Sequence, residues 1–118
     1  MNRIVLVGRL IRDPELKVFE ESGKSMTRFI IAVDRTFKNA SGERTVDFIP
    51  IIAWGKKAEI ICEYMTKGKI ISICGRLKTG SYLDEQGNKK YTAEVVVDEF
   101  QFIGNKSKSQ NQNQEDAV

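Results

Sequence analysis

Residues 48–82 read FIPIIAWGKKAEIICEYMTKGKIISICGRLKTGSY, and their pattern changes from strand to helix and back to strand. It opens on a run of isoleucines and aromatic residues that is typical of a strand. Four apolar residues then recur at i, i+3, i+4 and i+7, the spacing of one helix face: Ala58, Ile61, Cys62 and Met65. Gly68 is a helix stop signal, and a second β-rich run begins at Lys69. The stretch therefore predicts a strand, a helix over about 57–67 and another strand.

The rest of the body extends this pattern in both directions. Strands are predicted over residues 2–10, 16–20, 26–35, 45–54, 69–82 and 90–103, with turns at Asp13-Pro14, Ser22-Gly23, 36–44 and 84–88. Pro50 cannot donate a ladder hydrogen bond, so its strand should have an edge, a bulge or a gap there. Strand, hairpin, strand, helix, strand, hairpin, strand is a five-stranded all-β order with one helix between the third and fourth strands. This order indicates the OB-fold, a Greek-key barrel that binds oligonucleotides and oligosaccharides.

Length and composition predict one domain followed by a tail. The chain has 118 residues, 41% hydrophobic and 30% charged, which is typical of a single globular domain and excludes a two-domain enzyme. We expect the OB-fold domain over residues 1–104. Residues 105–118 read NKSKSQNQNQEDAV, which is too polar to bury the surface that folding requires, so a disordered tail is expected. The net charge of +3 permits a polyanionic partner without requiring one.

What the composition lacks excludes several chemistries. The chain has no histidine, the side chain most used for acid–base catalysis near neutral pH. Its two cysteines, Cys62 and Cys74, have no further ligands nearby for a zinc site and should be small buried apolar side chains. Carboxylates are scattered, not clustered as a metal-dependent nuclease requires. We therefore expect no enzyme, no cofactor and no metal site. Without a disulfide framework or a long apolar segment, we expect a cytoplasmic protein with no membrane partner.

Aromatic side chains beside cations are the main functional feature. Phe37 stands among basic and polar residues in a predicted loop, and this exposed setting favours a binding role. Phe48 and Trp54 are an even number of residues apart, so they share one face of a strand, and Lys56 follows directly. A base stacks on any flat aromatic ring while nearby cations hold the phosphates, which is how single strands are bound without reading their sequence.

Tyr82 has a similar setting further along the chain. It follows Arg76 and Lys78 at even spacing, so all three can lie on one strand face, and this setting also favours binding. For Phe48 and Trp54, a place in the barrel core is an equally good interpretation. The remaining aromatics in or beside apolar runs are interpreted as mainly core or interface: Phe19, Phe29, Tyr64, Phe100 and Phe102.

Five segments that together span nearly the whole body match the pattern of one family. They read NRIVLVGRLIRDPELK (2–17), FIPIIAWGKKAE (48–59), EYMTKG (63–68), GRLKTGSY (75–82) and YTAEVVV (91–97). In these segments the sequence closely resembles the bacterial single-stranded DNA-binding protein family, from residue 1 to about 103. The resemblance implies an OB-fold that assembles as a homotetramer. It also implies that the tetramer wraps single-stranded DNA during replication, recombination and repair.

The resemblance further implies which side chains touch DNA. Family members stack bases on aromatic residues at four positions, which this chain fills with Phe37, Phe48, Trp54 and Tyr82. By the same matching, phosphate contacts are implied at Arg3, Lys56, Lys67 and Lys78.

The sequence departs from the family pattern at two places that matter for function. Gly80-Ser81 stands where members often carry basic residues, which implies a thinner phosphate path there. Residues 115–118 read EDAV, whereas the family's usual tail closes on an acidic tip ending in Pro-Phe that recruits replication and repair proteins. Recruitment of such partners is therefore left open.

Two other classes of function stay open on the residues alone. An OB-fold RNA-binding or translation module would use the same stacking rings, and competition between RNA and DNA would decide. A replication-assembly adaptor built on the same fold would not bind oligonucleotides, and removing Phe37 and Tyr82 would then cost no binding.

Overall fold

The structure is a computed structural model that describes residues 1–38, 40–42 and 44–104, with all side chains in these ranges except those of residues 37, 38 and 44. The tail expected over 105–118 lies outside the described residues. The described ranges form six strands and one helix: β1 (Ile4–Leu10), β2 (Glu15–Val18), β3 (Ser25–Lys38), β4 (Arg44–Trp54), α1 (Lys56–Tyr64), β5 (Ile70–Leu83) and β6 (Lys89–Ile103).

The strands form one closed sheet. Their order is β1-β5-β6-β4-β3-β2, and a β1–β3 pairing at Arg9 and Leu10 closes the barrel. The short β2 pairs with β3 alone, so the barrel itself has five strands and α1 connects the third of these to the fourth. The five-stranded OB-fold order predicted from the sequence is confirmed, and the strand predicted over 16–20 is the short β2 of the first hairpin.

Pro50 lies where β4 changes neighbours. On one side β4 pairs with β3, whereas on the other it pairs with β6 only at Ile51 and Ile52, in parallel. The Ile30 carbonyl opposite Pro50 accepts a hydrogen bond from the Ile11 amide at 3.2 Å, so Pro50 interrupts no bond to β3. Of the edge, bulge or gap predicted at Pro50, the structure shows an edge. At this residue β4 pairs with β3 alone, and its pairing with β6 begins at Ile51.

The core fills the barrel interior, and the helix closes one end. Alternate residues of the strands point inward and are fully buried, because the side chains of a strand point to opposite faces in turn. The largest are Leu10, Ile31, Ile51, Ile71, Ile73 and Val95. The buried side of α1 adds Ala58 and Ile61, and Met65 follows directly. Cys62 and Cys74 are free and half-buried, not fully buried as the sequence predicted.

The helix ends earlier than predicted. It stops at Tyr64, and Met65 is already extended, with φ −106° and ψ 142°. Gly68 has a φ of 89° and lies in the following turn, where its amide donates to the Leu10 carbonyl at 2.8 Å. The glycine therefore turns the chain back to β1 and does not cap the helix.

The β3–β4 hairpin is longer and its loop shorter than predicted. β3 continues to Lys38, which pairs with Arg44, and the register shifts between Asp34 and Lys38. The prediction that Phe37 lies in a loop is therefore wrong for its backbone, which belongs to β3. Local residue types indicated a loop, but pairing with β4 extends the strand beyond them. The Phe37 side chain lies outside what the structure describes.

An irregularity in β6 shifts its register against β5 by one residue. Cys74 pairs with Glu99, but Gly75 pairs with Val97, so Asp98 is an extra residue, a β-bulge. Gly75 is required at this point, because a Cβ there would collide with the Val96 carbonyl. Beyond Gly75 the pairing is regular to Leu83. The bulge therefore sets which residues of β6 share a face with Arg76–Leu83 of β5.

Candidate nucleic-acid interface

The outside of the β3–β4–β6–β5 sheet carries the aromatic residues that the sequence singled out. Phe48 and Trp54 alternate with the inward-facing Ile49, Ile51 and Ala53, so both rings lie outside the barrel. Phe48 is 62% exposed and Trp54 39% exposed, and neither belongs to the interior cluster. Of the two interpretations left open for these rings, the structure excludes the core. We call this outward side of the four strands the outer face.

A small apolar cluster supports the Trp54 end of the outer face. Met26, Ile52 and Val96 are buried there, separate from the barrel interior, and Phe19 packs against them. These residues come from β3, β4 and β6 and from the β2–β3 turn. The cluster gives the outer face a rigid base beside Trp54.

Phe19 is a residue of the site that the sequence did not assign to binding. Its ring stacks on Trp54, with centroids 6.1 Å apart and planes at 23°. The Lys17 ammonium lies 5.0 Å from the centre of the Phe19 ring. The two rings and the cation continue the outer face onto the β2–β3 hairpin. The signal in the sequence was the Lys-x-Phe spacing, which places a cation and a ring on one strand face.

The far end of the β5–β6 hairpin extends beyond the barrel. We call residues 76–94 the arm. Regular pairing from Gly75 to Leu83 keeps Arg76, Lys78 and Tyr82 on the outer face, and Tyr82 is 57% exposed. Asp84 holds the tip, since its Oδ1 accepts from the Gln86 and Asn88 amides at 2.9 and 2.8 Å. The structure therefore brings Tyr82 and two cations to the same side of the sheet as Phe48 and Trp54.

Carboxylates hold two of the arginines on the outer face. Arg28 of β3 bonds Glu94 of β6 at 3.2 Å, and Arg76 bonds Asp98, the bulge residue, at 2.7 Å. Such exposed ion pairs contribute about 0–1 kcal/mol to stability. Lys78 lies opposite Glu94 in the register, but Glu94 bonds Arg28. Arg28 is a second residue that the sequence did not single out.

The other predicted cations lie around the outer face. Lys56 is exposed at the start of α1, two residues after Trp54. Arg3 is exposed beside the base of the arm, because the Asn2 side chain bonds the Leu77 amide and carbonyl, both at 2.8 Å. Lys67 is exposed in the turn after α1, where its amide donates to Asp13 at 2.7 Å.

An ion pair fixes the base of the β3–β4 hairpin. Arg35 donates to both oxygens of Asp47, with Nη2 2.8 Å from Oδ1. The hydrogen bond from Arg35 lowers the pKa of the Asp47 carboxyl below its usual value, and the same bond raises the pKa of Arg35. The arginine that precedes Phe37 by two residues is therefore paired with a carboxylate.

Two further observations limit the chemistry of the described residues. They contain no group of three or more side chains that could hold a metal ion. Among them there is also no helix of the length and apolar character needed to cross a membrane.

A closed five-stranded barrel with a helix after its third strand, and with exposed rings beside cations on one outer face, defines an OB-fold of the oligonucleotide-binding class. Comparison with known proteins leads to the family. The model of the single-strand binding protein family matches residues 1–103. The chain belongs to this family, as its resemblance predicted.

Named relatives cover most of the chain. A single-stranded DNA-binding protein of Clostridium tetani is 49% identical over 114 residues, which are 95% of this chain and 78% of the relative. Single-stranded DNA-binding protein 1 of Clostridium acetobutylicum is 43% identical over 92% of this chain and 99% of its own length. Single-stranded DNA-binding protein 1 of Staphylococcus aureus is 46% identical over 95% of this chain and 71% of its own length.

Proposed function

We propose that this protein binds and protects single-stranded DNA in the cytoplasm, without sequence preference, during replication, recombination and repair. The observation that carries the proposal is the outer face, where exposed rings stand beside cations on one side of an OB-fold barrel. Membership of the single-strand binding protein family supports it. The protein acts by binding and is not an enzyme.

Stacking on the rings supplies binding that is tolerant of sequence. Every base has a flat π-face, and each base stacked on an aromatic side chain contributes about 1–3 kcal/mol. We assign this role to four residues: Phe37, Phe48, Trp54 and Tyr82. The Phe19 ring packs against the apolar cluster of Met26, Ile52 and Val96 and stacks on Trp54. This contact holds Trp54 in place, so little side-chain entropy is lost when a base stacks on it.

Cations around the rings contact the phosphates. We assign this role to five residues: Arg3, Lys56, Lys67, Arg76 and Lys78. Each phosphate that they neutralise releases a counterion, so affinity falls as the salt concentration rises. Arg76 shares its charge with Asp98, so Lys78, beside Tyr82, carries more of the contact on the arm.

We further propose that the protein assembles as a homotetramer through β1. Residues Ile4–Val7 of β1 pair with β5 on one side, and in the described part of the chain no strand pairs with their other side. Val5 and Val7 are exposed on the same strand. An uncovered strand edge with apolar side chains favours pairing with a second copy. Light scattering at micromolar concentration should give about four times the chain mass, and a stable monomer would contradict the assembly.

A fluorescence titration tests the DNA-binding function. Trp54 is the only tryptophan of the chain and lies on the outer face, so a stacked base should quench its emission directly. We expect oligo-dT to quench it and added salt to reverse the quench. An RNA oligonucleotide of equal length serves as the competitor. Tighter binding of the RNA would favour an RNA-binding module, and no quench with either would favour an adaptor.

A further inference from the structure

The arm has a second face that the proposed site does not use. Tyr82 pairs with Lys90, and Ser81 pairs with Tyr91. Paired residues share a face and successive residues alternate, so Tyr91 lies on the side of the arm opposite Tyr82. This side continues the inward face of the barrel beyond the point where the barrel ends, and it is therefore uncovered.

The second face of the arm, like the outer face, carries an aromatic ring and a cation. The Tyr91 side chain is 78% exposed, and the Lys89 ammonium lies 5.7 Å from the centre of its ring. Lys89 has no ion pair with a carboxylate in the described ranges. Leu83, opposite Lys89 in the register, is exposed beside them. An uncovered ring with an unpaired cation has the chemistry that binds a base and its phosphate.

An open edge connects the two faces. β6 pairs with β4 only at Val95 and Val96, so over residues 89–94 no strand of the described chain lies beside its outer edge. Lys89 and Lys90 are successive residues and point to opposite faces of the arm at this edge. Lys90 is 4.0 Å from Asp84, an exposed pair that costs little to separate. Cations therefore follow the edge from the Tyr82 side to the Tyr91 side.

We propose that single-stranded DNA passes around the open edge of β6 and stacks a second base on Tyr91, with Lys89 at its phosphate. This rests on the DNA-binding function proposed above. The competing occupant is a second copy of the chain docked on the apolar side chains of this face. A symmetric contact of that kind would bring two lysine-bearing faces together, which is unfavourable, whereas a phosphate is attracted to such a face.

Three substitutions at Tyr91 separate stacking from apolar docking. Affinity for a long labelled oligo-dT is measured by fluorescence anisotropy in the full chain, and mass is measured by light scattering. Tyr91→Phe keeps the ring and should bind as the parent does. Tyr91→Leu and Tyr91→Ala remove it and should both weaken binding, about fivefold to a hundredfold, with unchanged mass. Lys89→Gln should reduce the slope of log affinity against log salt by about 0.7.

A Tyr82→Ala variant separates this proposal from the function on which it rests. Weakened binding by Tyr82→Ala together with parental binding by Tyr91→Leu and Tyr91→Ala would leave the function standing and overturn the second stacking site. A change of mass in Tyr91→Ala that Tyr91→Leu restores would assign the face to a second copy and also overturn it. A parent that does not bind oligo-dT would contradict the function itself.

Discussion

The β5–β6 hairpin is buried at one end and exposed at the other, although both ends carry apolar side chains. In the barrel end, Ile71 and Ile73 are fully buried. In the arm, every residue of β5 from Arg76 to Leu83 is exposed. The difference arises because β1 pairs with β5 only as far as Gly75, so beyond that point β6 is the only strand of the described chain that pairs with β5.

This difference separates residues that stabilise the fold from residues that are free to bind. An inward-facing residue of the barrel end meets the opposite wall, whereas Tyr91 has the same facing on the arm and is 78% exposed. Apolar side chains on the arm therefore contribute little to folding. Rings that are exposed and stand near cations are therefore available to stack on bases.

Truncation in the barrel end should have the largest effect. Ile73→Ala removes a fully buried side chain and should lower the free energy of unfolding by about 2–5 kcal/mol. Leu83→Ala, ten residues on in the same strand and 70% exposed, is the matched control and should change it by about 0.5 kcal/mol or less. Urea unfolding of both variants checks the comparison. Equal losses would mean that the arm is packed against something in solution.

Truncation in the arm should affect binding instead. Tyr82→Ala should weaken oligo-dT binding by about 1–3 kcal/mol, or fivefold to over a hundredfold, with a melting temperature close to that of the parent. Tyr64→Ala is the control, since Tyr64 is also exposed but lies at the end of α1 against Phe102. Parental affinity in the Tyr82 variant would remove Tyr82 from the site.

A substitution in the Phe19–Trp54 pair, at the other end of the outer face, should lower both stability and DNA affinity. Phe19→Ala removes the ring that stacks on Trp54 and should lower stability by about 0.5–1.5 kcal/mol beyond the loss of buried area. Trp54 becomes more exposed to water, so its emission should shift to longer wavelength and oligo-dT affinity should fall. Phe19→Leu keeps the apolar cover and is the control for stability. Unchanged Trp54 emission in Phe19→Ala would show that the stack does not form in solution.

A single cation on the arm should have a smaller effect. Lys78→Gln should reduce the slope of log affinity against log salt by about 0.7, the value for one phosphate contact with a single strand. Lys69→Gln alters an exposed lysine to which no phosphate contact is assigned, and should leave the slope unchanged. Equal slopes in the two variants would place the phosphate path elsewhere.

The smallest effect should come from the exposed pair of Arg35 and Asp47. The bond from Arg35 lowers the pKa of Asp47 in the folded protein, so its stabilising effect is present above the ordinary carboxyl pKa of about 3.9 and is lost as the pH falls below it. Melting temperatures between pH 6 and pH 3 should therefore fall slightly less steeply in Asp47→Asn than in the parent. Identical curves would show that the pair does not form in solution.

Much of the fold could be predicted because strands and helices are specified by the spacing of apolar residues that are close together in sequence. Alternating apolar residues identified every barrel strand to within a few residues, and the i, i+3, i+4, i+7 spacing identified α1. Even spacing also placed Phe48 on the same strand face as Trp54, and Arg76 on the same face as Lys78 and Tyr82. Facing within one regular strand depends on residue number alone. Where strand ends depend on pairing, as at Phe37 in β3, local patterns were wrong.

The sequence by itself determined the order of the elements, the apolar faces and the rings beside cations, because each depends on neighbours along the chain. The tertiary structure alone decided that Trp54 is outside the barrel and that Phe19 stacks on it, since these contacts join residues far apart in sequence. It also decided, through the bulge at Asp98 and the end of β1 pairing, that Tyr82 and Tyr91 stand uncovered on opposite faces of one arm. A one-residue shift in pairing inverts every later side chain, and pairing is a property of two strands together.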